Sequence, residues 1–285
     1  MIKLVKKHKG LLKKRERDQA FWSATNDNLT KAYTTLDEKE KELTKAYEII
    51  QEDLSVASQI QEAFLPNLYS KMQEELDIAV YHKQLSKVGG DYYDYFGTRK
   101  GGYAIGVFDI SGHGVSAALV MAYLKAQFMM VMETIDSPKE IVEHINTSSY
   151  AFLRAVKKYA TVTFVVFNAN KIRYVSGGGF GLLLSGDERY LFEKKDAFLG
   201  LRQRPYHERE IPFKQGDLLM IHTDGMIEAQ NSVNEDYSVK RLNDLVIANA
   251  DKPVKEILDL CLEDYRTFRA KDTDDITLML IRKKA

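Results

Sequence analysis

The sequence predicts an α+β protein: two packed antiparallel β-sheets flanked by helices, with an N-terminal coiled-coil helix ahead of them. Three observations predict it. From about Asn28 to Phe64 there is no Gly or Pro, and apolar residues recur every seven positions. Beyond Pro66 the period changes, and short β-rich runs are separated by Gly, Asn and Asp turns. Those runs are grouped, with helix pairs between the groups, which argues against an alternating parallel βαβ chain.

Residues 1–27 form a basic N-terminal segment. Lys3, Lys6, Lys7, Lys9, Lys13, Lys14, Arg15 and Arg17 stand against one acid, Glu16, in residues 1–17. Such a cluster can bind an anionic membrane or nucleic acid. The simpler expectation is a solvated, frayed end.

Residues 28–66 form the coiled-coil helix. Leu29, Leu36, Leu43, Ile50, Ala57 and Phe64 recur every seven residues, and Tyr33, Glu40, Tyr47, Leu54 and Gln61 follow each by four. This is the a/d seam of a left-handed coiled coil. A helix this charged is marginal alone in water. A partner helix is therefore expected, most simply from a second copy in a homodimer. A helix folded back on its own domain is the alternative. Glu40 and Gln61 are polar seam positions, which lower stability and fix register. Pro66 ends the helix.

Residues 67–285 hold the globular domain. Leu76–His82, Asp91–Phe96 and Gly102–Ile110 read as strands. Val115–Glu133 and Pro138–Lys158 read as helices, the second with Ser137 as N-cap. Ala160–Asn168, Lys171–Ser176, Gly181–Ser185 and Tyr190–Glu193 follow as short strands joined by hairpin-like turns. Asp217–Thr223 is a strand, Asp236–Ala248 and Pro253–Phe268 are helices, and Ile276–Arg282 is a closing strand.

Composition narrows the class. The 285 residues are 45% hydrophobic, enough for a true core in one or two domains. Lys+Arg and Asp+Glu both number 41, so the net charge of +0 leaves no footprint for nucleic acid over the whole chain. Cys261 is the sole cysteine, which excludes an internal disulfide and suits a reducing cytoplasm. No apolar run of signal-peptide type follows the basic start. The run near Ala117–Leu124 stops at Lys125, short of the about 20 residues a bilayer span needs, so no transmembrane segment is expected.

Four acidic motifs carry the chemistry. They are Gly89-Gly90-Asp91-Tyr92-Tyr93-Asp94, Asp109-Ile110-Ser111-Gly112-His113-Gly114, His222-Thr223-Asp224-Gly225 and Asp272-Thr273-Asp274-Asp275-Ile276-Thr277. Each puts an Asp at a strand end beside a small residue, where a rigid strand aims the carboxylate. One Asp-Gly alone is ordinary turn chemistry. Together they imply carboxylates that repel unless a cation sits between them. An all-oxygen set selects Mg²⁺ or Mn²⁺. Two such ions, about 3.5–4 Å apart, can activate a water and clamp a phosphate. No side-chain nucleophile is then needed.

On these motifs the chain resembles the SpoIIE-type (RsbU-like) bacterial branch of the type 2C, or PPM, metal-dependent protein phosphatases. The resemblance runs from about Ala57 to the C-terminus. It includes the helix end Ala57-Ser58-Gln59-Ile60-Gln61-Glu62-Ala63-Phe64-Leu65-Pro66 and the stretch Thr223-Asp224-Gly225-Met226-Ile227-Glu228-Ala229. It implies the αββα sandwich of that family and hydrolysis of phosphoserine or phosphothreonine on a protein. It implies that Asp109 bridges two Mn²⁺ or Mg²⁺ ions, with the carbonyl of Ile110 on one and Asp224 and Asp274 on the other. It implies that Asp91 is a further ligand, so that Asp109 and Asp91 carry the catalysis. Asp94 is read as a ligand or a local pair, and Asp275 as a residue behind the ligands. The implied substrate is a phosphorylated STAS-type regulator in bacterial signal transduction, and a separate sensor protein would act on the helix. Where many relatives carry an Asn-Ala-Gly-His-Pro-like stretch, this chain has Val175-Ser176-Gly177-Gly178-Gly179-Phe180, without the His.

Other residues read as structural. His113 sits in a glycine turn, His222 on an apolar strand and Lys87 in a loop, and Met121, Met129, Met130 and Met132 pack a helix on a sheet. Gln61 reads as regulatory, since it lies on the seam next to the domain entry. Register of its helix would control the alignment of Asp91. The competing functions are a non-catalytic phosphoprotein-binding module of the same fold and a coiled-coil scaffold.

Overall fold

The computed structural model describes residues 1–66, 70–192 and 196–284. Two compact units emerge, Met1–Ser55 and Val56–Ala285. The first is helical from Ile2 onward, as part of α1 (Ile2–Glu62). Residues 2–27 are therefore helical rather than frayed. They contain one Gly, no Pro and many Lys, Arg, Leu and Ala, which favour helix. The seam residues Leu29, Tyr33, Leu36, Leu43, Tyr47 and Ile50 are all exposed in the single chain.

The second unit begins at Val56 rather than at 67, because the last turns of α1 are packed within it. Gln61 there is only 5% exposed. The amides of Phe64 and Leu65 bond back to the carbonyls of Gln61 and Glu62, closing the helix just ahead of Pro66.

Two five-stranded sheets make the sandwich. The first runs β1 (Leu76–Lys83), β10 (Ile276–Lys283), β9 (Leu218–His222), β6 (Phe180–Ser185), β7 (Glu188–Leu191). The second runs β2 (Tyr92–Gly97), β3 (Tyr103–Ile110), β4 (Ala160–Asn168), β5 (Lys171–Gly177), β8 (Arg209–Pro212). Neighbouring strands pair antiparallel throughout. Helices α3 (Val115–Met132) and α4 (Pro138–Ala155) cover the second sheet. Helices α5 (Val239–Ala248) and α6 (Val254–Phe268) belong to the first, where α6 packs on β1 and β10.

Two elements were not legible in the sequence. Helix α2 (Ser70–Glu75) is a six-residue piece before β1. Strand β8 is four residues long and, among the described residues, pairs only with β5, an edge position where Pro212 is tolerated. The strand expected at Tyr190–Glu193 is displaced to Glu188–Leu191, and Glu193 lies outside the described residues.

Apolar residues fill three layers: between α3/α4 and the second sheet, between the sheets, and between the first sheet and α5/α6. Phe128 is fully buried in the first layer, its ring 4.6 Å from that of Phe108 and 5.5 Å from that of Phe164. Phe128→Ala is expected to cost about 3–5 kcal/mol of stability, read by denaturant unfolding. An effect below 1 kcal/mol, on the same scale, would contradict this packing.

Among the described residues α3 alone is long and apolar enough to cross a bilayer, at mean hydropathy 1.6. Seven of its residues are buried in the fold, and it is a core helix of this domain. Met121 and Met132 pack inward as expected, but Met129 and Met130 are 55% and 70% exposed. A turn of 3.6 residues cannot bring all four to one face.

Candidate metal centre

Strand pairing gathers the acids. Tyr92 lies opposite Phe108 in the β2–β3 pair, which sets Asp91 and Asp109 at one end of the second sheet. His222 lies opposite Leu278 in the β9–β10 pair, which sets Thr223-Asp224 beside Asp274-Asp275. The Thr223 amide donates to the Thr277 carbonyl at 3.0 Å, and the Thr277 amide donates to Thr223 Oγ1 at 2.9 Å.

Asp91 ties the sheets together. Its Oδ2 accepts from Thr223 Oγ1 and Thr277 Oγ1, each at 2.7 Å. Burial raises its carboxyl well above the ordinary range, and the charge of Asp109 raises it further, against the two threonine bonds. Asp109 is pushed up to about 7, first by burial and then by the charges of Asp224, Asp274, Asp275 and Glu228. Each is a carboxylate opposing ionisation of its neighbours.

The loop before Asp91 is clamped from two directions. Asp275 Oδ1 accepts from the Leu85 amide at 2.7 Å, and Oδ2 from the Gly90 amide at 2.6 Å. Gln61 makes a paired contact with Gly89: its Nε2 donates to the carbonyl at 2.8 Å, and its Oε1 accepts from the amide at 3.1 Å. Asp275 thus sits behind Asp91 and positions the loop.

The donor chemistry fits a hard divalent cation. Buried or half-buried carboxylates converge, and the added donors are backbone carbonyls. A Cβ on Gly90 would stand 2.6 Å from the Ile110 carbonyl oxygen and 3.1 Å from that of Gly112. Glycine therefore keeps this space beside the Ile110 carbonyl open. Among the described residues no three His, Cys, Asp or Glu side chains close into a ready ligand set.

Not every residue of the motifs joins the cluster. Asp94 turns to the other face and pairs with Lys125 Nζ at 2.6 Å, with further bonds from the Tyr92 hydroxyl and the Tyr95 amide. It is a local pair. Lys125 also donates to the Phe64 carbonyl at 2.9 Å, linking α3, β2 and the segment after α1. His113 is exposed between Gly112 and Gly114, whose φ values of 76° and 78° make the turn. His222 is buried against Phe180, with Nδ1 2.8 Å from the Thr223 carbonyl. Lys87 is exposed. Burial pushes the Cys261 thiol up to about 12, the opposite of a nucleophile.

Sequence reasoning gave no role to Thr223, Thr277, Glu228 or Lys125. Glu228 carried a readable signal, four residues after Asp224. Its amide bonds to the Asp224 carbonyl at 2.9 Å in a helical turn.

The chain is similar to known proteins in sequence and in fold. The family described as Stage II sporulation protein E (SpoIIE) matches residues 99–284. Phosphoserine phosphatase RsbU of Bacillus subtilis is 26% identical over 246 residues, 82% of this chain and 71% of RsbU. Phosphoserine phosphatase RsbP of the same organism is 22% identical over 80% of this chain, which spans 57% of RsbP. The solved SiaA-PP2C domain of Pseudomonas aeruginosa superposes with a TM-score of 0.75 at 24% identity, over 83% of this chain and 98% of that one. The two-sheet sandwich is thus the PP2C fold, and the chain belongs to the SpoIIE family of PPM (PP2C-type) protein phosphatases.

Proposed function

We propose that the chain is a metal-dependent protein serine/threonine phosphatase acting on a phosphorylated regulatory protein. One observation carries the reading: the Asp109 carboxyl is buried where the two sheets meet, within the fields of Asp224, Asp274, Asp275 and Glu228, and burial first and those charges second oppose its ionisation. Such a cluster is stabilised by cations. Asp109, Asp224, Asp274, Asp91 and the Ile110 carbonyl would hold two Mn²⁺ or Mg²⁺ ions. When bound, the ions supply an activated water and neutralise charge on the phosphoryl group. The chain's own part is placement. Thr223 and Thr277 orient Asp91, and Asp275 fixes the loop that carries it. Gly90 keeps the approach to the Ile110 carbonyl open.

The test is phosphate release from a phosphoserine protein during Mn²⁺ titration, with and without chelator. Saturable, chelator-sensitive release is the expected result. No release at saturating metal would favour a binding module instead. The family resemblance supports a STAS-type substrate and a separate sensor protein, and the single cysteine supports a cytoplasmic location. A homodimer through α1 is supported by its exposed heptad seam.

Gln61 is the proposed regulatory contact. It is the one seam residue whose side chain grips the loop bearing Asp91. Gln61→Leu removes both bonds and leaves the Gly89 amide and carbonyl unpaired, at about 1–3 kcal/mol for each. The half-saturating Mn²⁺ concentration is expected to shift by about tenfold, since about 1.4 kcal/mol is a factor of ten. Unchanged kinetics together with an unchanged oligomeric state would remove the regulatory reading.

A further inference from the structure

Helix continuity through residues 2–27 gives the basic segment a geometry that a frayed end lacks. At 3.6 residues per turn, successive positions advance by about 100°. Lys6, Lys7, Lys13, Lys14 and Arg17 then fall within about 120° of the helix circumference. Leu11, Leu12 and Trp22 fall within a second arc of about 100°, its centre about 150° from that of the basic one. His8, Arg15 and Gln19 share the apolar arc, Lys9 lies between the two arcs, and Phe21 rises from the basic one. All of these side chains are exposed, Leu11 at 58%, Leu12 at 47% and Trp22 at 68%. Glu16 and Asp18 are the sole acids in residues 1–22.

The coiled-coil seam does not account for this pattern. Seven-residue steps back from Leu29 land on Trp22, Arg15 and His8. The same steps back from Tyr33 land on Asn26, Gln19 and Leu12. Four of these six positions are polar, so the stripe a partner helix would cover fades above Leu29.

We propose that residues 2–22 of α1 form an interfacial helix that binds the surface of an anionic lipid bilayer. Charge complementarity selects the partner. A row of Lys and Arg meets lipid phosphates, while Leu11, Leu12 and Trp22 enter the boundary between headgroups and acyl chains. The stem of Arg15 lies along that boundary with its guanidinium in the headgroups. Nucleic acid would use the same cations but would give the leucines nothing to bury against. The proposal does not depend on the phosphatase reading, because none of these residues belongs to the second compact unit.

Trp22 is the chain's single tryptophan, so fluorescence excited at the red edge, where the tyrosines do not absorb, reports its environment alone. The experiment mixes the full chain with phosphatidylglycerol–phosphatidylcholine vesicles, and separately with phosphatidylcholine vesicles. Co-sedimentation and a blue shift of Trp22 emission are expected with the anionic vesicles alone. Lys6→Glu, Lys7→Glu, Lys13→Glu and Lys14→Glu together are expected to weaken binding by at least about 100-fold. Leu12→Ser keeps the charge and is expected to reduce both binding and blue shift, with helix content checked by circular dichroism. Equal binding to both vesicle types, no binding to either, or bound protein with unshifted Trp22 emission would each overturn the proposal. So would duplex DNA binding more tightly than the anionic vesicles at the same salt.

Discussion

Asp109→Asn is expected to lower phosphate release by at least about 10²–10³-fold, the scale of losing one preorganised group at a charge-stabilising site. The same substitution is expected to raise the melting temperature of the metal-free protein above neutral pH. Both effects have one cause. Asp109 is buried and lies in the fields of Asp224, Asp274, Asp275 and Glu228, and burial first and those charges second raise its carboxyl from the ordinary value of 3.8 to about 7. The folded state therefore holds that proton more tightly than the unfolded chain does. The resulting stabilisation is fully present below the ordinary carboxylate value and is lost as pH rises through about 7. Asparagine keeps the shape and removes the charge, so the melting curves of variant and wild type should converge in acid. Mn²⁺ should stabilise the wild type and leave the variant little changed. Full activity of the variant at saturating Mn²⁺ would remove Asp109 from the metal centre.

Asp275→Ala is expected to act differently. It should raise half-saturating Mn²⁺ and lower kcat/KM by about 10–100-fold, the usual scale for residues that orient ligands. The carboxylate receives the Leu85 and Gly90 amides, so alanine leaves both without their partner. The loop also rests directly on it: a Cβ on Gly89 would lie 2.4 Å from Asp275 Oδ2. The acids of the cluster remain, so excess Mn²⁺ should restore part of the activity, as it does not for Asp109→Asn. Wild-type metal dependence in Asp275→Ala would show that the loop keeps its place without this anchor.

Much of this was legible in the sequence, because it is written in local signals. A seven-residue period runs along the long helix, and strand-end aspartates beside small residues mark the candidate site. What was not legible depends on partners far away in the chain. Three residues apart in an extended segment, Asp91 and Asp94 must point to opposite faces. The sequence does not say that Asp94 meets Lys125, or that Asp91 meets Thr223 and Thr277. Those threonines stood inside quoted motifs without a role, since a hydroxyl on a strand has no signature until its acceptor is known. Strand β8 escaped for another reason: four residues at a sheet edge are too few to establish a period of two. The onset of α1 was misplaced because a run of lysines reads equally as solvated coil and as one face of a helix.

The clamp around Asp91 also dictates when in folding the centre can appear. Its bonds to Thr223 and Thr277 span 132 and 186 positions, and the Asp275 bond to Gly90 spans 185. Contacts of such high order form slowly, after the loop-closure entropy has been met. Strand β10 must dock between β1 and β9 before Thr277 and Asp275 are in place. A chain whose hairpins and helices have formed but whose β10 is still free cannot assemble the proposed metal centre. On dilution from denaturant, ellipticity should return before catalysis does, and partly folded molecules stay silent toward phosphoproteins until the last strand is in.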